Sequence, residues 1–162
     1  MDTTIRTGKE FKNLAKKTIT MKKMFLYNND NNLLVYKKPN KIYLPTVITD
    51  SEEKFIADIH HKLNISFLDE NVECFFQLLD YLPIFERTNN KLKKVYVEKV
   101  RDYYSCLVDL DNVASFESKK GIEPSVISVD ESLEIMSNVN YNSHTLYALN
   151  NFKQKVKERK IC

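Results

Sequence analysis

The order of β-prone runs and amphipathic helices constrains the fold of this chain more than any other feature. Two short apolar runs, residues 24–27 and 33–36, flank an asparagine-rich stretch at 28–32, and such residues favour a tight turn between antiparallel strands. A helix is predicted over 51–64, because apolar side chains recur there at helical spacing. The apolar stripe consists of Phe55, Ile56, Ile59 and Leu63. Strands with interspersed helices over one core predict an α/β sandwich.

The second half of the chain continues this pattern. β-prone stretches at 72–79 and 94–110 are separated by a polar turn, which predicts another strand pair. Two helices are predicted near the C-terminus, one capped by Asp130 and a last one capped by Asn142 or Ser143, since short polar side chains favour that position.

Composition limits the class of protein. The chain has 162 residues, of which 43% are hydrophobic and 29% charged, as expected for one globular domain. With only two glycines, the chain cannot form a glycine-rich phosphate loop, because in such a loop the backbone must approach the phosphate closely. Its three cysteines form no C-x-x-C pair, which argues against a disulfide framework and a structural zinc site. No run approaches the roughly 20 apolar residues of a membrane span. We expect an intracellular protein without a membrane partner, with the cytoplasm as the first interpretation of its location and an organelle as the alternative.

Positive charge is concentrated at the two ends, although the formal net charge is only +3. We expect residues 1–20 to form a basic leader, with spacings that permit a short amphipathic helix, and residues 21–162 to form one domain. The basic residues are Arg6, Lys9, Lys12, Lys16, Lys17, Lys22 and Lys23 at the start, and Lys153, Lys155, Lys157, Arg159 and Lys160 at the end. Solvated tails are the plainer interpretation, and an anionic partner such as RNA is the alternative.

Over residues 22–155 the order of hairpin, loop, helix, strands and closing helices resembles the Nudix hydrolase superfamily. The resemblance implies an α/β/α sandwich with a mixed β-sheet and a substrate that contains a diphosphate linkage. In that family a helix marked R-E-U-x-E-E-x-G-U, where U is aliphatic, binds Mg²⁺. Carboxylates one helical turn apart hold the cations, which bridge the diphosphate and activate water.

The corresponding box of this chain, residues 57–65, keeps the two aliphatic positions, Ile59 and Ile65. The other marked positions differ. In place of the arginine, the first glutamate, the paired glutamates and the glycine stand Ala57, Asp58, His61 and Lys62, and Asn64. The resemblance therefore implies the fold more strongly than the reaction.

The polar face of this helix is basic rather than acidic. Lys54, Asp58 and His61 share the face opposite the apolar stripe, and Lys54 and Lys62 each lie four residues from Asp58. Such a face would repel Mg²⁺. The plainer interpretation of Asp58 is an exposed ion pair that contributes about 0.3–0.5 kcal/mol. Lys54, His61 and Lys62 are instead candidate binding residues.

Three functional hypotheses follow. The first is a Nudix-like module with a degraded catalytic box, which binds a nucleotide, RNA or a protein partner and hydrolyses little or nothing. The second is a divergent Mg²⁺-dependent pyrophosphohydrolase with a rearranged acidic site, in which Glu53, Asp58 and Glu123 are catalytic and Asp50 and Asp58 bind the metal. The third is an assembly subunit of a ribonucleoprotein, held by its basic ends.

Overall fold

The computed structural model describes residues 2–38, 41–63, 72–110, 123–137 and 144–161, with side chains at all of these except 38, 123 and 158–161. The strands are β1 (Asp2–Thr7), β2 (Ala15–Tyr27), β3 (Asn32–Lys38), β4 (Lys41–Tyr43), β5 (Thr46–Ile48), β6 (Val72–Thr88), β7 (Lys91–Leu107) and β8 (Glu123–Ser128). The helices are α1 (Glu52–Leu63), α2 (Val129–Ser137) and α3 (His144–Ile161), with a 3₁₀ helix at Lys9–Leu14. None of the helices in these ranges is long and apolar enough to cross a membrane.

The strands form one mixed sheet in the order β1-β6-β7-β2-β3-β4, with β5 added to β2 and β8 added to β3. The pairs β1–β6 and β2–β7 are parallel, whereas β6–β7 and the remaining pairs are antiparallel. Strands β6 and β7 form a long hairpin around Asn89 and Asn90, whose φ angles are 51° and 65°. Positive φ at both turn residues matches the twist of the flanking strands.

Apolar side chains point alternately to the two sides of the sheet and form two apolar layers. In β2, Phe25 and Tyr27 point into the core beneath α2 and α3, whereas Met24 and Leu26 point into the core beneath α1. Successive strand residues face opposite sides, so one sheet separates two helical layers. We call these sides the α3 face and the α1 face. The predicted α/β/α sandwich with a mixed sheet is confirmed.

Helix α1 forms where its sequence predicted. The backbone N–H of Lys54 donates to Ser51 Oγ at 3.2 Å, so Ser51 caps the helix. Phe55, Ile59 and Leu63 are buried, with exposed fractions of 0, 1 and 2%, whereas Ile56 is only half-buried. The predicted stripe is confirmed for three of its four residues.

The amphipathic α-helix that the spacings within residues 1–20 would permit does not form. This segment forms β1, the 3₁₀ helix and the start of β2, which runs without interruption through the expected boundary at residues 20 and 21. Gly8 connects the first two elements at φ 66°, where an added Cβ would lie 1.8 Å from the carbonyl oxygen of Tyr81. Phe11 stacks on Tyr96 with ring centroids 4.4 Å apart. The segment is therefore part of the sheet rather than a solvated tail.

The C-terminal helices follow β8. The backbone N–H of Glu131 donates to Ser128 Oγ at 3.0 Å, so Ser128 caps α2, and the predicted cap Asp130 lies inside the first turn. The predicted caps of the last helix, Asn142 and Ser143, lie outside the described residues. Phe152 of α3 is fully buried and anchors that helix on the sheet.

Candidate functional site

The residues that the sequence singled out around α1 lie mainly on its solvent side. Asp50 precedes the helix and Glu53 is in its first turn. Asp58 is half-buried, whereas the remaining residues are exposed: Asp50, Glu53, Lys54, His61 and Lys62. Glu123 is the first residue of β8 rather than a loop residue, and its side chain lies outside the described part.

The residues on and before α1 do not fit a magnesium ion. Mg²⁺ needs near-octahedral oxygen ligands, usually carboxylates together with water or phosphate. Within the described ranges, no three Asp, Glu, His or Cys side chains form a group that could hold a metal. The helix places Lys54 and Lys62 one turn either side of Asp58, and ammonium groups there oppose a cation. The proposed metal and catalytic roles of the four carboxylates stay predictions.

The α1 face of the sheet carries a closed polar group. Lys22 Nζ donates to Asp102 Oδ2 at 2.8 Å and to Tyr104 Oη at 3.2 Å, and Gln77 Nε2 donates to Asp102 Oδ1 at 2.8 Å. Burial alone would lower the pKa of Lys22, but hydrogen bonding to Asp102 and Tyr104 raises it. Burial also raises the pKa of the nearby Cys74 thiol to about 11, so it is not a reactive thiolate at neutral pH. These groups satisfy one another and serve the fold.

The α3 face carries a different cluster, centred on Asp80. This carboxylate is fully buried and accepts two hydrogen bonds from Arg6, at 3.1 and 3.0 Å, and one from Thr7 Oγ1 at 2.8 Å. Arg101 Nη1 also donates to it. Burial alone would raise the pKa of Asp80, but the bonds from Thr7, Arg6 and Arg101 hold it below its usual value. We call these four residues the Asp80 cluster.

Lys23 adds a further cation beside this cluster. It is half-buried in β2, and its Nζ lies 3.4 Å from Thr46 Oγ1. Burial lowers the pKa of Lys23 to about 8, and the positive charges of Arg101 and Lys99 act in the same direction. A lysine with a depressed pKa holds its charge at a cost, so it would gain from a nearby anion.

The pKa of His144 is affected by the same positive charges. Burial lowers the pKa of His144 to about 3, with further lowering by Arg101, Lys23 and Arg6, and only Asp80 acts in the opposite direction. The imidazole is therefore neutral at pH 7. It begins α3, so the first turn of that helix lies within the electrostatic reach of the cluster.

Two polar atoms in this region have no hydrogen-bond partner within the described part of the chain. They are Arg101 Nε and Tyr103 Oη, both buried. Burial raises the pKa of Tyr103 above its usual value, so the phenol keeps its proton and remains a donor. Buried polar groups in native proteins are nearly always paired with protein, water or ligand. Both atoms are donors, and the positive charges of Arg101 and Arg6 act on Tyr103.

Sequence reasoning did not identify the Asp80 cluster as a site. One signal was present, because Asp80 is the one charged residue in the run 75–84 and Arg101 lies within the β-prone stretch 94–110. Charged residues are almost never fully buried without a partner. The sequence therefore indicates that such partners exist, but it does not show that β1 supplies one of them.

Comparison with solved structures supports the fold. A binary complex of an Ap4A hydrolase from C. elegans matches with a TM-score of 0.51 and 12% identity, covering 86% of this chain and 98% of that chain. A second C. elegans Ap4A hydrolase structure has a TM-score of 0.45 and 9% identity, and the match covers 86% of this chain and 98% of that chain. A Nudix hydrolase from Nitrosomonas europaea has a TM-score of 0.47 and 15% identity, and the match covers 86% of this chain and 90% of that chain. No family model and no curated protein sequence matches the chain. The resemblance to Nudix hydrolases is thus supported for the fold alone.

Proposed function

We propose that this chain is a Nudix-fold binding module for a phosphate-bearing ligand, a nucleotide or an RNA end, with little or no hydrolysis. The observation that carries this proposal is the positive charge around Asp80. The positive charges of Arg6, Lys23 and Arg101 lower the pKa of His144, whereas the carboxylate of Asp80 raises it. The Nε of Arg101 has no hydrogen-bond partner among the described residues. Phosphate oxygens accept charge-assisted hydrogen bonds from such groups.

Weak hydrolysis is supported by the chemistry of α1. In active Nudix enzymes the paired glutamates of the box hold the cation that activates water, and His61 and Lys62 stand at those positions here. Both are exposed, and neither is a hard oxygen ligand of the kind that Mg²⁺ prefers. A protein that binds the ligand without cleaving it would act in regulation or assembly.

The depressed pKa of Lys23 gives ligand binding a defined pH dependence. Lys23 has a pKa of about 8 in the free protein, so most of its charge is present at pH 7 and is lost as the pH rises. A bound anion favours the protonated amine. Binding should therefore weaken between pH 7 and pH 9.5 and should take up protons near pH 8.

The test is ligand-dependent thermal stabilisation by pyrophosphate, ADP and a dinucleoside polyphosphate, with and without Mg²⁺. A ligand at one hundred times its Kd stabilises the protein by about 2.7 kcal/mol. The variant Lys23→Met should lose most of this stabilisation. Its control is Lys153→Met, since Lys153 is exposed on α3 and pairs with Asp130 at 3.0 Å.

Two outcomes would contradict the proposal. If none of the ligands stabilises the wild-type chain, binding of a phosphate-bearing ligand is wrong. If the chain hydrolyses the ligands rapidly with Mg²⁺, and Asp58→Ala abolishes that turnover, the absence of efficient hydrolysis is wrong and the second hypothesis replaces it.

A further inference from the structure

The outer end of the β6–β7 hairpin, residues 83–96, presents apolar side chains to solvent. Phe85 is 69% exposed and Leu92 is 67% exposed. The turn at Asn89 and Asn90 has positive φ at both residues, and β6 pairs with β7 up to the turn. The hairpin end is therefore a preformed surface rather than a loose loop.

One face of this hairpin end combines apolar and basic groups. The register pairs Phe85 with Lys94 and Arg87 with Leu92, and residues two apart on a strand share a face. All four side chains are exposed and project on the α1 face. We call these four residues the Phe85 platform; none of them is acidic.

An aromatic stack closes the inner end of the platform. Lys94 Nζ lies 5.6 Å from the ring centroid of Tyr96, and Phe11 of the 3₁₀ helix covers that ring at an interplanar angle of 19°. A flat stack over a strand tyrosine, with a lysine beside it, already occurs within the protein. The exposed ring of Phe85 is the next aromatic position outward on this face.

The N-terminal crossover adds charge to the same end of the molecule. The 3₁₀ helix contacts β6 and β7, and Ala15 of β2 pairs with Tyr96. Residues 8–17 and 83–96 hold eight basic and two acidic residues: Lys9, Lys12, Lys16, Lys17, Arg87, Lys91, Lys93 and Lys94 against Glu10 and Glu86. Eight minus two gives +6 here, whereas the whole chain carries +3, so the rest of the molecule is net negative. The eight basic residues are exposed.

We propose that the Phe85 platform binds single-stranded nucleic acid. A base stacks on the Phe85 ring, and Arg87, Lys94 and the neighbouring lysines contact backbone phosphates. Nonspecific single-strand binding proteins combine these two elements, a basic track and an aromatic face. The platform is separate from the Asp80 cluster, which lies on the α3 face. The inference goes beyond the proposed function, because it concerns a second surface that shares no residue with the Asp80 cluster.

Other occupants fit the platform less well. A second copy of the chain, placed face to face, would bring the same positive charges together. A membrane surface would be contacted by two apolar side chains, whereas stable membrane anchoring takes a larger apolar face or a second signal. Nucleic acid uses the charge and the exposed Phe85 ring together.

The experiment measures binding of a labelled uridine oligonucleotide of about 12 nucleotides, a length within known site sizes, by fluorescence anisotropy at several salt concentrations. Stacking of one base contributes about 1–3 kcal/mol, so Phe85→Ala should weaken binding about 5- to 150-fold. Lys94→Glu should weaken binding and make the dependence of log K on log salt shallower by about 0.7 for each phosphate that the protein no longer neutralises. The controls are Ile48→Ala and Lys153→Glu, an exposed apolar and an exposed basic position elsewhere.

Several results would overturn this inference. RNA affinity that is unchanged in both Phe85→Ala and Lys94→Glu, or that does not vary with salt, excludes the platform. Binding to phosphatidylserine vesicles or to a polyglutamate peptide that depends on Phe85, without RNA binding, assigns the surface to a membrane or an acidic protein. If pyrophosphate stabilises the protein in a way that depends on Lys23 but not on Phe85, and RNA does not bind, the nucleic-acid inference is wrong and the proposed function stands.

Discussion

Replacement of Asp80 with asparagine tests whether the Asp80 cluster is held together by charge. The amide has nearly the same shape as the carboxylate and can still accept hydrogen bonds through its oxygen. It removes the negative charge that faces Arg6 and Arg101, so the substitution leaves two guanidinium groups without their counter-ion. The cost is therefore electrostatic rather than a cavity.

The magnitude follows from how much water reaches each partner. Removal of one member of a buried ion pair costs about 3–5 kcal/mol. The side chain of Arg101 is 6% exposed and that of Arg6 is 17% exposed, whereas Asp80 is fully buried. Arg6 can regain part of its hydration in the variant, so we expect a loss near the lower end, about 3 kcal/mol.

Urea denaturation at pH 7 measures this loss as a shift of the midpoint at constant slope. The matched control is Asp130→Asn. Asp130 pairs with Lys153 at 3.0 Å, but the two side chains are 81% and 48% exposed, so the control should lose about 0–1 kcal/mol. If Asp80→Asn lost less than about 1 kcal/mol, charge pairing at Asp80 would not stabilise the fold and the reasoning would be refuted.

The pH dependence of the same variant provides an independent check. The pKa of Asp80 is lower in the folded protein than its usual value, so its contribution is present above an unfolded pKa of about 3.9. The contribution is lost as the pH falls through the folded pKa. The stability gap between wild type and Asp80→Asn should stay constant from pH 7 to about pH 5 and narrow below about pH 4. A gap that widened in acid would contradict the assignment.

Two further substitutions test the packing on the α1 face and the N-terminal crossover. Ile59→Ala should lower the free energy of unfolding by about 2–5 kcal/mol in urea denaturation, because Ile59 is 1% exposed. The control Ile48→Ala, at 68% exposure, should change it by no more than about 0.5 kcal/mol. Equal losses would show that α1 packs differently. Gly8→Ala should destabilise the chain by more than about 1 kcal/mol, because Gly8 has φ 66° and an added Cβ would overlap the Tyr81 carbonyl. Unchanged stability would mean that the crossover takes another path.

Local patterns predicted the central elements of the fold well. The apolar stripe of α1 and the asparagine turn after Tyr27 both act within a few residues. Asn28 Oδ1 accepts hydrogen bonds from the backbone N–H groups of Asp30 and Asn32 at 3.1 and 3.0 Å. Such signals need no knowledge of the rest of the chain, so the sequence alone was sufficient for them.

The N-terminal segment shows where local patterns fail. Phe11, Leu14, Ala15 and Ile19 have spacings that a helix would allow. Their structure is instead decided by parallel pairing with strands that lie far along the chain, such as Ala15 with Tyr96. Parallel partners bring no local turn signal, because their connection is long. Periodicity therefore permitted a helix here, and pairing with distant strands, which periodicity does not detect, gives a strand instead.

The two candidate sites also differ in how far the sequence alone predicts them. The exposed face of α1 could be read from helical spacing, since all its residues belong to one element. The Asp80 cluster combines Arg6 of β1, Asp80 of β6 and Arg101 of β7, with Lys23 of β2 beside it. Three strands supply the cluster and a fourth supplies Lys23 beside it, and only the sheet order shows that these strands meet.

Both proposed ligand sites depend on the N-terminal segment, and this decides how they must be tested. Arg6 closes the Asp80 cluster on the α3 face, whereas residues 8–17 add positive charge to the hairpin end. A truncation at residue 20 would remove β1 and shorten β2, so it would break pairing with both β6 and β7. Loss of RNA binding in that truncation would not identify a binding tail, because the sheet itself would be damaged. Charge substitutions at exposed positions, such as Lys94→Glu, leave the strands paired and can separate a binding role of the basic residues from their role in the fold.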